Sequence, residues 1–371
     1  MRPRILLFST AYLPHIGGSE LAIQHIADRL LDFDIDLVTG KLDGSDATME
    51  QMGRIRVFRA GGRWSRLTLV LPKLLMPLAM ALTALRLTRR HAYTLMHAYQ
   101  ASQAAVAASV VKIVNPSLPF ILTLQEGKDL GRQSWLTRSI RTLIIRRADS
   151  ITAISTYLAI FAREYTAAPV KIIPNGVDIN AMKLPNVVRD TRSIMTVSRL
   201  VEKNNVGNLI RAVALVRGTL PDVRLVIIGS GRLRGELERC ASDLNISDAV
   251  EFVGSVPHHQ LGAYLASAGV FARPSLSEGL GSAFLEAMGA RVPVVASAVG
   301  GIPDIVHEGH TGLLCDPQNP EDIARAIIRL MTDTELRQRI TEEAYQFVQR
   351  YDWSVIAQQM GELYKELMND K

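Results

Sequence analysis

The chain has 371 residues, which is more than one hydrophobic core usually organises, so we expect two domains. A content of 48% hydrophobic and 21% charged residues is typical of a soluble globular protein. The only cysteines, Cys240 and Cys315, form no disulfide or metal pattern and suit a reducing compartment. The start MRPRILLFSTAY lacks the apolar segment and cleavage site of a signal peptide, so we expect a cytoplasmic protein.

The net charge of +6 is unevenly distributed along the chain. Residues 1–178 contain 22 Lys and Arg against 13 Asp and Glu, whereas the remainder contains 20 against 23. In residues 63–90 and 135–147, arginines alternate with long apolar side chains. These are either helices with solvated basic edges or a surface that meets anionic lipid headgroups or an anionic substrate. We therefore expect peripheral attachment to the inner face of the membrane.

The basic segments are not expected to bind nucleic acid or to contain a membrane-spanning helix. No nucleic-acid-binding motif accompanies the positive charge. A membrane-spanning helix over 67–85 is not expected either, because Pro72, Lys73 and Pro77 interrupt a run that is already short for a bilayer.

The first half of the chain carries a series of short apolar segments that predict β-strands, most of them separated by helical stretches. They are RILLFST (4–10), DIDLVTG (34–40), IRVFRA (55–60), TLMHAY (94–99), FILTLQ (120–125), SITAIS (150–155) and VKIIPNG (170–176). The polar segment NAMKLPNVVRDTR (180–192) then resembles a linker.

The same pattern restarts after the linker. The predicted strands are SIMTVSRL (193–200), VRLVIIGSG (223–231), VEFVGSV (250–256), AGVFARPS (268–275), VPVVASAVGG (292–301) and GLLCDP (312–317). Apolar strands that alternate with helices predict parallel, doubly wound α/β sheets. We expect two Rossmann-like domains, 1–180 and 190–350, facing a deep cleft, with a helix at about 352–371 packed back on the first.

Three glycine-containing turns follow predicted strands, at Gly17–Gly18, at 228–232 and at 277–282. Glycine lets the backbone approach a ligand and leaves free N–H groups at a helix N-terminus, although it also serves tight packing alone. No turn matches the Walker or the GxGxxG pattern, so neither an ATPase nor a nicotinamide-dependent enzyme is favoured.

The stretch SEGLGSAFLEAM (277–288) places Glu278 and Glu286 eight residues apart around such a turn. We expect Glu278 in the loop and Glu286 on the helix, and at about 1.5 Å per residue eight residues span about 12 Å. This distance suits a diphosphate over the helix N-terminus with a sugar on one side and a ribose on the other. A carboxylate can accept hydrogen bonds from vicinal hydroxyls. The alternative is that Glu286 is an ordinary solvated helix residue.

The chain resembles the retaining GT-B glycosyltransferases of family GT4 over almost its whole length. The resemblance is carried by VSRLVEKNN, GSGRLRGELE, VEFVGSV and ARPSLSEGLGSAFLEAMGARVPVVASAVGGIPDIVHEGHTGLLCDP, and by GGSE and IPNGVD in the first half. It implies transfer of a hexose from a UDP- or GDP-sugar to a glycan acceptor, such as a lipid-linked one in cell-envelope polysaccharide or glycolipid synthesis. It also implies retention of anomeric configuration and no metal cofactor.

The resemblance further implies roles for individual residues. Arg199 and Lys203 would stabilise the leaving diphosphate, and Glu278 would hold the transferred sugar. The residues implied in donor binding are Gly18, Gly229, Val253, Gly254, Gly279, Leu280, Gly281, Ser282 and Glu286. Gln125 and Glu126 would contact the acceptor, with a solvated loop glutamate as the alternative for Glu126.

Two departures from the family pattern stand out. Lysine stands four residues after Arg199, at Lys203, whereas the family position is the fifth, which here is Asn204. Gln125 replaces a histidine that is common near the reacting sugar, and glutamine cannot act as a general acid or base. These departures favour a non-catalytic nucleotide-sugar-binding subunit as an alternative function. A nucleotide-sugar epimerase, which shares the fold, is the other alternative.

Overall fold

The computed structural model describes residues 2–15, 17–42, 47–61, 71–125, 135–184 and 187–369. These residues form two compact units. The first contains the described residues up to Asn175 together with those from Trp353 onward, and the second is Gly176–Asp352. The chain therefore passes into the second unit once and returns to the first for its last helix.

The described part of the first unit contains an eight-stranded sheet. The strands are β1 (Arg4–Ser9), β2 (Asp34–Gly40), β3 (Met49–Met52), β4 (Ile55–Ala60), β5 (Leu95–Tyr99), β6 (Phe120–Leu124), β7 (Ser150–Ala153) and β8 (Val170–Ile172). Their order is β3-β4-β2-β1-β5-β6-β7-β8, and every neighbouring pair is parallel except β3 and β4. The order reverses between β1 and β5, which is where doubly wound sheets open a crevice for ligands.

In the described part of the first unit, five helices precede the crossing into the second. They are α1 (Gly18–Arg29), α2 (Leu71–Arg90), α3 (Gln103–Val114), α4 (Trp135–Arg147) and α5 (Thr156–Arg163). Strands β5 and β6 are buried at every residue, as expected for central parallel strands that are covered on both faces. Within the described residues, no helix combines the length and the apolar character needed to cross a bilayer.

The second unit contains a six-stranded parallel sheet in the order β11-β10-β9-β12-β13-β14. The strands are β9 (Asp190–Val197), β10 (Arg224–Ile228), β11 (Val250–Gly254), β12 (Ala268–Arg273), β13 (Val294–Ser297) and β14 (Leu313–Cys315). The helices are α6 (Ile179–Met182), α7 (Val206–Thr219), α8 (Arg234–Asp243), α9 (His258–Ser267), α10 (Ser282–Gly289), α11 (Pro320–Thr332) and α12 (Thr334–Val348). Its order also reverses beside the first strand, between β9 and β12.

The last helix, α13 (Trp353–Asn369), belongs to the first unit. Its apolar side chains, including Ile356, Met360 and Leu363, join the core cluster that contains β1 and α1 residues. Its Tyr364 hydroxyl lies 2.7 Å from Nδ1 of the buried His97 on β5. The C-terminal segment is thus built into the core of the first unit.

The predicted fold class of two Rossmann-like α/β domains is confirmed. Every strand predicted from the apolar segments is present, with ends that differ by a few residues. One strand of the described residues, β3, was not predicted from the sequence, because its sequence, MEQM, is half polar. This strand pairs only with β4 at the sheet edge, and its residues alternate between exposed and half-buried, so it needs no apolar run.

Candidate active site

Several of the predicted site residues of the second unit lie at one edge of its sheet. Arg199 follows β9, Gly229 follows β10, Gly254 ends β11 and Glu278 follows β12. Because these strands are parallel, their carboxyl ends share an edge. The topology therefore assembles residues that are up to 79 positions apart in sequence.

Glu278 is held by two cationic side chains and by its own loop. Arg273, the last residue of β12, donates from Nη2 to Oε2 of Glu278. Nζ of Lys203 lies 3.7 Å from the same oxygen, and the Gly279 N–H donates to Oε1 at 3.2 Å. Only 12% of the Glu278 side chain and 10% of the Arg273 side chain is exposed. The carboxylate is consequently held in one orientation by Arg273, Lys203 and the Gly279 N–H.

The structure separates the roles of Lys203 and Asn204. Asn204 is buried; its Nδ2 donates to the Arg199 carbonyl at 2.6 Å, and its Oδ1 accepts from Arg273 at 3.1 Å. Both residues lie in a 3₁₀ turn, Glu202–Asn204, that presents Lys203 to Glu278 instead. Asn204 therefore contacts Arg199 and Arg273, whereas the Lys203 ammonium group faces Glu278.

Positive charge dominates around Glu278. Burial lowers the pKa of Lys203, the charge of Glu278 opposes this shift, and the charges of Arg273 and Arg199 add to it. Lys203 and Arg273 thus lie against the Glu278 carboxylate, and the charge of Arg199 acts on Lys203. Such a cluster favours an anionic ligand, because an anion would offset the repulsion among the cations.

Sequence reasoning missed Arg273 as a site residue. The sequence does contain an indication of its role, because Arg273 is the only charged residue of AGVFAR, a strand that is buried at every position. A charge at the end of such a strand needs a partner, and here the partners are Glu278 and Asn204.

Glu286 lies in the second turn of α10, with 12% of its side chain exposed. Its Oε1 is 2.8 Å from Nε2 of His258, the first residue of α9. The hydrogen bond with Glu286 raises the pKa of His258; burial opposes this, and the charges of Glu286 and Asp178 add to it. His258 was not predicted, since nothing in VPHHQL indicates which side chain approaches α10.

Glycines bring the strand-end loops together. A Cβ on Gly229 (φ +132°) would stand 1.9 Å from the Ser198 carbonyl oxygen. A Cβ on Gly300 (φ +56°) would stand 1.9 Å from the Glu278 carbonyl oxygen, and the next residue, Gly301, donates its N–H to that oxygen at 3.1 Å. Only glycine permits these approaches, and Gly300 was not among the predicted residues.

The remaining predicted donor residues lie on the same loops. Gly281 caps α10 in the left-handed conformation and Ser282 begins the helix. Leu280 is buried, so its contribution to a site is through its backbone. Val253 is half-buried near the end of β11, where the Gly254 carbonyl accepts from the Gly229 N–H at 2.8 Å. The α10 N-terminus thus presents backbone N–H groups close to Glu278.

In the first unit, the predicted residues Gly18 and Gln125 are near one another. Gly18 begins α1, and a Cβ there would lie 3.7 Å from Nδ2 of Asn175. Gln125 follows β6 and donates from Nε2 to Oδ1 of Asn175 at 3.0 Å. Asn175, a residue of the IPNGVD motif, therefore joins the two. Glu126 lies outside the described residues.

The described residues contain no group of three or more His, Cys, Asp or Glu side chains arranged to hold a metal ion.

Two family models match the chain. Glycosyl transferases group 1 matches residues 181–347, and Glycosyltransferase Family 4 matches residues 16–181. A GDP-mannose-dependent alpha-(1-6)-phosphatidylinositol monomannoside mannosyltransferase of Mycobacterium tuberculosis is 25% identical over 389 residues, which is 98% of each chain. A D-inositol 3-phosphate glycosyltransferase of Corynebacterium urealyticum is 35% identical over 195 residues, 51% of this chain and 46% of that protein.

Solved structures show the same fold. Sucrose-phosphate synthase from Thermosynechococcus elongatus superimposes with a TM-score of 0.84 at 22% identity and covers 100% of both chains. HepE of Anabaena in complex with UDP and glucose gives 0.82 at 22% identity, over 98% of this chain and 100% of that one. The two family models together extend over residues 16–347, and the neighbouring structures are GT-B glycosyltransferases. The chain belongs to the family 4 (group 1) glycosyltransferases.

Proposed function

We propose that this glycosyltransferase moves a hexose from a UDP- or GDP-sugar to a glycan acceptor, with retention of anomeric configuration and without a metal. The observation that carries the proposal is the position of Lys203 and Arg273 against Glu278 after β12, with the charge of the exposed Arg199 acting on Lys203. When a nucleotide sugar reacts, negative charge develops on the leaving diphosphate. Fixed cations and helix N-terminal amides stabilise such charge without reorganising.

The sugar and the ribose, which flank the diphosphate, would each contact one of the two glutamates. Glu278, fixed by Arg273 and Gly279, would accept hydrogen bonds from the sugar hydroxyls, and the α10 amides from Ser282 onward would face the phosphates. Glu286, which lies in the second turn of the same helix, would accept from the ribose hydroxyls. The glycines at 229, 254, 279 and 281, with Val253 and Leu280, would shape the backbone around the nucleotide.

The proposal includes both UDP- and GDP-sugars because the similar proteins are named with different nucleotides. The Mycobacterium tuberculosis relative is named for GDP-mannose, whereas HepE has been solved with UDP-glucose. We assign the first unit, with Gly18 beside Gln125 and Asn175, to the acceptor side. The name of the same relative supports a lipid-linked acceptor in glycolipid or polysaccharide synthesis.

The surface of α4 supports peripheral attachment to the inner face of the membrane. Trp135, Ile140 and Leu143 are exposed to 78%, 43% and 54%. Arg138 and Arg146 on the same helix are exposed as well. Aromatic and aliphatic side chains next to arginines are the combination that binds anionic bilayers at their interface.

The donor site is tested by calorimetric titration of the protein with UDP, GDP and ADP, first with EDTA and then with Mg²⁺. We expect micromolar binding of UDP or GDP that EDTA leaves unchanged and that Glu286→Ala abolishes. Absence of binding by all three nucleotides would contradict the proposed donor site. Binding only in the presence of Mg²⁺ would contradict metal independence.

Catalysis and stereochemistry need a separate measurement. Incubation with UDP-glucose and GDP-mannose should release nucleotide slowly by hydrolysis, and NMR of the sugar product should show the anomeric configuration of the donor. An epimerase would instead release nucleotide with a rearranged sugar, and a non-catalytic binding subunit would release none.

Membrane attachment is tested by sedimentation with vesicles of phosphatidylglycerol and phosphatidylcholine. We expect Trp135→Ser with Leu143→Ser to reduce binding to the anionic vesicles several-fold. Ile160→Ser on α5, where Ile160 is 55% exposed, is the matched control and should bind as the unaltered protein does. Equal sedimentation of all three proteins would contradict the role of α4.

A further inference from the structure

A second group of arginines lies at the opposite edge of the same sheet. Arg189 directly precedes β9, Arg291 lies just before β13, and Arg337 is on α12. They line a cavity of about 380 Å³ whose wall includes Thr191 and Gly269, close to the amino ends of β9 and β12. The eight residues of β9 separate this cavity from Arg199 by roughly 25 Å.

Backbone carbonyls at helix ends fix two of these guanidinium groups. Arg189 donates from Nη2 to the Ala290 carbonyl at 3.1 Å, just past the end of α10. Arg337 donates from Nη1 to the carbonyls of Leu330 and Met331, at 3.2 and 2.9 Å, in the last turn of α11. Such contacts orient the guanidinium groups, and the partial negative charge at the helix C-termini offsets only part of each full positive charge.

The cavity is lined by fewer carboxylates than arginines. Among the residues that line it, Glu342 is the single carboxylate, and it pairs with Arg291, whose guanidinium also stacks on the Tyr345 ring at 3.7 Å. Three arginines against one glutamate leave two positive charges at the cavity wall. Desolvation of its guanidinium lowers the pKa of Arg189, and the charges of Arg337 and Arg291 lower it further.

We propose that this cavity is a second ligand site, which binds a small molecule carrying a phosphate group. Guanidinium N–H groups that do not face a carbonyl form charge-assisted hydrogen bonds with phosphate, and a dianion would balance the two excess charges. The volume is enough for a phosphate with a sugar-sized substituent. This inference does not depend on the proposed donor site, since it concerns the other edge of the sheet.

Calorimetry with inorganic phosphate, pyrophosphate and glucose 6-phosphate tests the proposal. The titrations are run on the unaltered protein and on Arg199→Ala with Glu286→Ala, which disables the donor site. We expect saturable binding of at least one probe in both proteins, and at least about tenfold weaker binding in Arg189→Gln with Arg337→Gln. Binding of inorganic phosphate alone would indicate a free anion as the ligand, and stronger binding of glucose 6-phosphate would indicate a sugar phosphate.

Arg339→Gln is the matched control. It is on the same helix, is exposed, and interacts with Glu343 and the Gly309 carbonyl away from the cavity, so binding should be unchanged. If the double variant does not fold, the single variants Arg189→Gln and Arg337→Gln should each weaken binding several-fold. The proposal is overturned if no probe binds by about 10 mM, or if the cavity variants bind as tightly as Arg339→Gln. Loss of binding only in the donor-site variant would also overturn it, by placing the probe there.

Discussion

The imidazole Nε2 of His258 lies 2.8 Å from Oε1 of Glu286, so the carboxylate that we assign to the ribose has a histidine as its hydrogen-bond partner. The pair joins the first residue of α9 to the second turn of α10. Asp178, at the N-cap of α6, is the other charged group that acts on His258. A ribose must therefore share Glu286 with His258 or displace it.

Donor affinity should consequently increase with pH. Because Glu286 raises the pKa of His258, the charged pair is fully formed below the ordinary histidine pKa and is lost as the pH rises through the raised value. Deprotonation makes Glu286 a better acceptor for ribose hydroxyls, so we expect about threefold to tenfold tighter binding at pH 8 than at pH 6. Calorimetry with an intact nucleotide sugar measures this, because its diphosphate does not titrate in that range.

His258→Gln is the control for that pH dependence, since glutamine can donate to Glu286 but does not titrate in this range. Its donor affinity should be nearly constant from pH 6 to pH 8. An equal pH dependence in the variant and the unaltered protein would show that another group is responsible.

Replacement of Glu278 should separate its chemical role from its structural one. Glu278→Ala leaves the buried Arg273 without its carboxylate and should lower the free energy of unfolding by about 3 kcal/mol. Glu278→Gln keeps an acceptor for Arg273 and should cost about 1 kcal/mol, yet transfer should fall at least about a hundredfold in both variants. Urea unfolding and donor turnover are the measurements. Full activity in Glu278→Gln would remove this carboxylate from the mechanism.

Gly300 should tolerate no side chain. Its Cβ would overlap the Glu278 carbonyl, and its φ is positive, so Gly300→Ala should displace the Glu278 loop, weaken nucleotide binding and destabilise the second unit by about 2 kcal/mol. Gly235 on α8 is the matched control, because a Cβ there meets nothing within 4 Å. Gly235→Ala should stabilise the protein by about 0.5 kcal/mol, through helix propensity, and leave binding intact. Nucleotide titration and thermal unfolding of both variants are the measurements. Unchanged binding and stability in Gly300→Ala would contradict the prediction.

The strands and the sheet type were predictable because buried parallel strands leave apolar runs such as FILTL and RLVII in the sequence. The side-chain partners were not. Lys203 and Asn204 are adjacent in sequence, and only the 3₁₀ turn that contains them decides which one meets Glu278. His258 likewise reaches Glu286 only because α9 and α10 pack together. Contacts of this kind depend on tertiary structure, which periodicity and composition do not contain.

His97 gives the first unit a pH-dependent stability that can be isolated by mutation. The ring is fully buried; its Nδ1 lies 2.7 Å from the Tyr364 hydroxyl of α13, and its Nε2 lies 2.6 Å from the Thr123 hydroxyl of β6. Burial lowers the pKa of His97 to about 3, so the folded protein keeps it neutral where the unfolded chain would protonate it.

The sign of the effect follows from this shift. The stabilising effect of a neutral His97 is complete above the ordinary histidine pKa of about 6.5 and is lost progressively as the pH falls towards 3, by about 1.4 kcal/mol per pH unit. Between pH 7 and pH 5, the unaltered protein should therefore lose about 2 kcal/mol more than His97→Gln, although the variant should be less stable at pH 7. Urea unfolding at both pH values measures the difference, and the other titrating groups cancel because the two proteins share them. Parallel losses in both proteins would mean that the histidine is protonated in the folded state, and that its contacts with Tyr364 and Thr123 accommodate the charge.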